Sequence, residues 1–281
     1  MRSCFRSNRD ILVHIIIVTI SYYIFARISL LFGISYSNVS PVWIPAGIAI
    51  AAIILWKLPV LVGVFAGSTL AVSSTQVAPE VALILGFACC TEALVFFYLF
   101  TRLDVKSFRF DTPENVFWFI VIGAFSSLIG GLLGVSTLFL FEYLSPSYYV
   151  LNLFTWWLGD LSGILIITPL ILLGKNRRVF LSSLKSIEHI LYYLVLFPCS
   201  ILIFDGSTPY LFFIFILYAV FRLSIPHVTF TLFIGNMVAV SLVVLERGAF
   251  IGLSTTETLL SVQLFMVVTS IISLFLKAAI E

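Results

Sequence analysis

Charge is what this sequence has least of. Asp, Glu, Lys and Arg make up 10% of its 281 residues, against roughly a quarter in a soluble globular domain. An ordinary water-soluble fold is thereby excluded. Cysteine is scarce too. Cys4, Cys89, Cys90 and Cys199 lie in apolar runs or on the short N-terminal tail, at spacings that suit neither a disulfide framework nor a zinc site. There is no basic stripe of the kind that binds nucleic acid, and no long acidic run that would read as a disordered tail. The N-terminal Arg2, Arg6 and Arg9 precede an apolar run that is too long for a secretory signal and lacks a small-residue cleavage site, so that run reads as a retained helix. No loop is long enough to fold alone, and there is no low-complexity linker. The expectation is one integral membrane domain over 1–281 with no soluble output domain.

What is present in excess is apolar surface: 61% hydrophobic residues and a mean hydropathy of +1.18. The fold class expected is an all-α, polytopic integral membrane bundle. Cutting at charges, prolines and polar clusters gives about ten segments near spanning length. The first half holds Ile11–Phe32, Pro41–Trp56, Pro59–Ser73, Glu80–Thr101 and Glu114–Phe141. The second holds Tyr149–Gly174, Ile187–Phe204, Pro209–Phe221, Pro226–Leu245 and Thr258–Leu276. The third and eighth are short, and merging them with neighbours gives the alternative count of eight.

Charge placement tests the count independently. With the N-terminus inside, the cytoplasmic connections hold Arg2, Arg6, Arg9, Lys57, Arg102, Lys106, Arg109, Lys175, Arg177, Arg178, Lys185, Arg222 and Lys277. The external connections hold Arg247 alone, while Arg27 lies within a helix. Lys and Arg excess in short loops sets orientation, so ten spans with both termini cytoplasmic is the expectation. The cytoplasmic loops Thr101–Pro113 and Lys175–Ser186 are the largest, and a water-soluble partner would dock there most easily.

The stretch around which the chain is organised is Thr155-Trp156-Trp157-Leu158-Gly159-Asp160-Leu161-Ser162-Gly163, running on to Thr168-Pro169-Leu170. It sets a carboxylate in the middle of a membrane-length apolar run, where an ionisable group is expensive and marks function by default. Glu92 is its counterpart: the two acids lie about twelve and eleven residues from the external ends of their helices, or roughly 16–18 Å deep. Arg27 sits nearer the outside, with a stem long enough to turn inward and pair with either acid. Two carboxylates at one depth without a cation would repel, so Arg27 is expected to turn inward. Trp156 lies one turn before Asp160 on the same side and is a candidate pocket wall; Trp157 reads as packing. Trp43, near the external end of its segment, fits an interfacial belt as well as the site.

Other features read as structural. Gly63/Gly67, Gly130/Gly134 and Gly159/Gly163 are spaced for close helix approach. Cys89, one turn before Glu92, reads as a small apolar filler. Asn236 and Gln263 read as helix bridges. His14, His189 and His227 map to the cytoplasmic edge, and no metal or cofactor site is expected from them.

Several stretches carry a family resemblance. Ser40-Pro41-Val42-Trp43-Ile44-Pro45-Ala46-Gly47 resembles the Trp-Pro-Pro opening of the bacterial membrane-associated sensor family, type one, the MASE group, with Ile44 in place of the first of its two prolines. Gly63-Val64-Phe65-Ala66-Gly67, Thr91-Glu92-Ala93-Leu94 and the Trp156-Trp157-Leu158-Gly159-Asp160 signature resemble its later motifs, in the same order. The asparagine expected to close the third segment is absent, with Ala71-Val72-Ser73 there instead.

The resemblance implies a non-enzymatic sensory module of bacterial signal transduction in the inner membrane. It would pass a stimulus through its last helix to a cytoplasmic histidine kinase or cyclic-di-GMP enzyme, in cis or in trans. The site expected is Asp160, Glu92, Arg27, Trp156 and Trp43. The partners expected are an unknown small ligand, the lipid bilayer, the effector and a second copy in a homodimer. Two rivals stand beside this reading: a small secondary transporter of two inverted five-helix halves, and a membrane scaffold without a ligand.

Overall fold

Inside hydrocarbon every backbone N–H and C=O must find a protein partner, and long apolar runs meet that demand as helices. The computed structural model describes residues 8–33, 40–103, 110, 112–173, 186–252 and 254–280. Among these the α-helices are α1 (Asn8–Leu31), α2 (Ile44–Trp56), α3 (Leu61–Ser73), α4 (Pro79–Arg102), α5 (Pro113–Leu140), α6 (Tyr149–Leu173), α7 (Ile187–Asp205), α8 (Phe213–Arg222), α9 (Ile225–Val244) and α10 (Thr255–Ile280). Proline starts several of them, as at Pro79 and Pro113, where the missing N–H would be unsatisfied in any case. Arg2, Cys4, Arg6, Lys106, Arg109, Lys175, Arg177, Arg178 and Lys185, with most of the two largest expected loops, lie outside the described residues.

Among the described residues, seven helices are long and apolar enough to cross a membrane: α1, α4, α5, α6, α7, α9 and α10. The stretches Ile44–Trp56, Leu58–Ser73 and Pro209–Arg222 are shorter. Short third and eighth elements were expected. The second is a correction, because its helix begins at Ile44 and not at Pro41. Pro45 fits a first helical turn, and Trp43 before it has non-helical angles, φ −100° and ψ 84°. Ser40, Pro41 and Val42 are buried outside any helix.

Such backbone survives in an apolar interior only if its polar groups are satisfied. The Trp43 N–H donates to the Gly159 carbonyl of α6 at 3.0 Å. The Ile44 N–H donates to Ser29 Oγ of α1 at 3.2 Å. Ser40 Oγ donates to the Val42 carbonyl at 2.8 Å. α1 and α6 thus cap the start of α2 from two sides.

α6 is the centre of the molecule. From Leu158 to Pro169 it is buried on every face, as a helix apolar all round must be. Leu161, Ile164 and Leu165 join one apolar core with Val18 of α1, Ile50 of α2, Phe96 of α4 and Phe119 of α5. Ile166 and Ile167 join the other, with Leu196 of α7, Phe212, Leu232 of α9 and Met266 of α10. Between apolar helices in lipid, close packing and hydrogen bonds replace the hydrophobic drive. Small residues therefore line the tight contacts. A Cβ on Gly163 would lie 2.0 Å from the Trp43 carbonyl oxygen, and one on Gly47 would lie 2.3 Å from the Gly163 carbonyl oxygen. Thr168 Oγ1 closes the same seam by donating to the Gly47 carbonyl at 3.1 Å. Gly63 and Gly67 bring α3 close to α1, where an added Cβ would lie 2.7 and 2.8 Å from the Ile15 and Thr19 carbonyl oxygens.

Ring and hydrogen-bond contacts fix helix directions. His14 stacks on Trp56 while Tyr22 meets Trp43, so α1 and α2 are antiparallel. Lys57 lies over the Phe97 ring, which brings the end of α4 and Arg102 toward the end from which α1 starts. Glu188 meets Tyr218 and Arg222, so α7 and α8 are antiparallel. Of the expected helix bridges, Gln263 is one: its Nε2 donates to the Thr155 carbonyl at 2.8 Å. Asn236 is not; it is fully buried and neither amide atom has a hydrogen-bond partner among the described residues.

The glycine seam generates a test. Gly163→Ala must push a methyl group into the Trp43 backbone, so it should cost about 1–3 kcal/mol or more, read as a lowered thermal midpoint in detergent. Gly131→Ala is the control. Its nearest new neighbours would lie at 3.6 Å, and it should leave the midpoint unchanged or slightly raised.

Candidate functional site

The two buried acids lie on helices that both pack on α5. Glu92 of α4 is 4% exposed and Asp160 of α6 is 3% exposed, and the Glu92 carboxyl is near enough to act electrostatically on Asp160. Glycines make room for them. A Cβ on Gly130 of α5 would lie 3.0 Å from the Glu92 Cβ, and one on Gly134 would lie 2.8 Å from the Trp156 ring. Trp156, one turn before Asp160 on α6, lines the same place. Glu92 Oε1 is buried with no hydrogen-bond partner among the described residues.

From α1, Tyr22 enters the same cluster. Its hydroxyl accepts from Trp43 Nε1 at 3.3 Å and lies within electrostatic reach of Cys89 and Glu92. The result is a mostly neutral polar cluster, Tyr22, Trp43, Cys89 and Trp156, wrapped around two carboxyls. Neither acid has a Lys, Arg or His within ion-pair reach among the described residues. No group of three or more His, Cys, Asp or Glu side chains that could hold a metal occurs there either. The arrangement can bind a proton, a small cation or a hydrogen-bond donor.

A family model for MASE1 matches residues 14–281. The chain belongs to the MASE1 family. That makes it a multi-pass membrane protein of a membrane-associated sensory domain family. No curated protein and no solved structure matches the chain.

Within this MASE1 chain the expected residues separate. Asp160, Glu92, Trp156 and Trp43 come together. Arg27 does not. It is exposed and donates to Ser74 Oγ at the far end of α3. The reason is helical phase: Val18, Tyr22, Ala26 and Ser29 form the buried face of α1, and Arg27 points well to the side of it. Trp43 meets Tyr22, about 14 Å along α1 from Leu31 at 1.5 Å per residue. Trp157 packs as expected, its Nε1 donating to the Ala124 carbonyl of α5 at 2.8 Å.

Residue-by-residue reading of the MASE1 sequence missed one member and one histidine cluster. Tyr22 carries no motif, although its place one turn from Val18 and Ala26 marks the inner face. Cys89 packs against the apolar core as a filler would, within electrostatic reach of both acids. His227 is fully buried, not a loop residue: Tyr193 Oη lies 2.7 Å from its Nδ1 and the His189 ring 4.4 Å from its own.

Two stability measurements follow in detergent. In double-mutant cycles, Arg27→Gln should combine with Glu92→Gln, and separately with Asp160→Asn, additively to within about 0.3–0.5 kcal/mol; a larger coupling would return Arg27 to the site. Tyr22→Phe leaves the Trp43 N–H buried without its acceptor and should cost about 1–3 kcal/mol.

Proposed function

We propose that this chain is the sensory module of a bacterial signalling system, seated in the inner membrane with both termini cytoplasmic. Its stimulus acts on the Glu92–Asp160 cluster, and α10 carries the response to a histidine kinase or cyclic-di-GMP enzyme on the same chain or a separate one. We assign it no catalytic activity. The observation that carries this reading is the tie between α6 and α10. Gln263 holds the Thr155 carbonyl and packs on Gly159, the residue before Asp160. A shift of α6 at the acid is therefore felt by the helix that ends at Ile280. A ligand biases two states only by its differential affinity for them, so the cluster must differ between signalling states. Membership of a sensory family supports the same reading.

A second reading is supported by α2. A short helix that starts from buried, extended backbone is a feature of transporter binding sites. Uptake of labelled solutes into proteoliposomes tests it, and retention of any solute above protein-free vesicles favours transport.

The sensory reading is tested with the chain coupled to a reporter effector in a bacterial host. Asp160→Asn keeps the shape of the side chain and should reach wild-type abundance in the membrane while its output is lost or locked. Gln263→Leu should uncouple output from stimulus. If Asp160→Asn signals as wild type while Asp160→Leu merely lowers abundance, the acid is structural. A topology reporter placed after residue 281 should report the cytoplasm, as the Lys and Arg distribution requires.

A further inference from the structure

Two carboxyls are buried within electrostatic reach of each other in an apolar bundle, and among the described residues no cation pairs with either. Among the described residues the ion pairs that form lie at the exposed rim, Arg222 with Glu188 and Arg247 with Asp205, and Arg27 is turned to Ser74. We propose that the ligand of the cluster is the proton, shared by the Glu92–Asp160 pair. This rests on the sensory reading of the cluster and names what it senses.

Neighbouring helices offer no competing charge. α1 presents Tyr22, and α4 itself presents Cys89 and Cys90. α2 and α3 contain no titratable side chain. The only titratable residue of α5 is Glu114 in its first turn, and the other one in α6 is Tyr149 at its start. Glu257 and Lys277 of α10 sit in its first and last turns. Tyr22, Cys89 and Trp156 are neutral donors or acceptors that can solvate a carboxyl pair but cannot offset two negative charges.

Like charges in such a site cannot both persist, and burial raises the penalty on each. A proton removes one of them and needs no cavity. Space points the same way, because the backbone of α5 at Gly130 closes to within 3.2 Å of Glu92 Oε2, measured from where a Cβ would stand. The vacant acceptor Oε1 of Glu92 is where the pair can take or share that proton. With two carboxyls and no metal-holding group of three or more His, Cys, Asp or Glu among the described residues, the site falls short of the six to eight oxygens a calcium ion takes.

The balance is simple: one proton bound leaves the pair with a single negative charge, its release leaves two, and a second proton leaves none. Each change alters the repulsion between α4 and α6 at the point where both rest on α5. That is a stimulus of the kind the α6–α10 tie can transmit.

The test is infrared difference spectroscopy of the full chain in lipid nanodiscs, stepped from acid to alkaline pH in sodium, potassium or choline buffer. The wild type should show a protonated-carboxyl C=O stretch that persists at neutral pH, disappears at alkaline pH, and is the same in all three salts. Glu92→Gln with Asp160→Asn should abolish that band, and each single substitution should move its pH midpoint. A wild type without the band overturns the proposal, and this outcome needs no variant to fold. A band lost on adding sodium at constant pH also overturns it, in favour of an alkali-cation site. Helix content by circular dichroism controls for unfolding of the double variant. A negative infrared result leaves the signalling test above intact, whereas loss of signalling specificity at Asp160 would leave a proton site without a sensory role.

Discussion

The hydrogen bond from the Trp43 N–H to the Gly159 carbonyl is the constraint from which the rest of the architecture follows. Extended backbone inside an apolar bundle has to be satisfied by protein: α6 holds the Trp43 N–H, Ser40 the Val42 carbonyl, and α1 the N–H of Ile44 where the helix begins. For that bond to form, α6 must present bare backbone, which is why Gly159 and Gly163 stand where they do. With the extended segment docked, α2 starts beside Asp160 and its Trp43 indole reaches Tyr22. The acid, the aromatic ring and the short helix are parts of one joint.

Packing and polarity are coupled in that joint. The glycines that let helices approach closely in the absence of a hydrophobic drive are the same residues that leave room for Glu92 and Trp156. Gly130 and Gly134 therefore act twice, as contact points between helices and as walls of the polar cluster. A buried acid at an interface of this kind is costly to stability, and its retention is intelligible if its charge state is what the protein responds to. The central position of α6, shared by both apolar cores, puts any change there in contact with both halves of the bundle.

Much of this was legible in the chain itself. Composition and run length specified an all-helical membrane protein, because a hydrocarbon environment leaves backbone no other choice for such runs. Asp160 and Glu92 stood out because a carboxylate amid apolar residues has few innocent explanations, and the Trp-Trp-Leu-Gly-Asp run carried the family. The short third and eighth elements were visible from their flanking prolines and charges.

What only the tertiary structure decided was which side chains meet. Arg27 could reach the acids by length and depth; a phase of one residue on α1 sends it to Ser74 instead. Trp43 was expected near the end of a segment starting at Pro41, and the docking of extended backbone on α6 turns its indole to Tyr22. Tyr22 carried no motif, since a hydroxyl on a helix gains chemical meaning only from what stands opposite. Periodicity and composition determine that a chain forms helices and which residues are costly to bury. The partners of those residues depend on helix rotation and register, which are set by contacts between segments far apart in sequence.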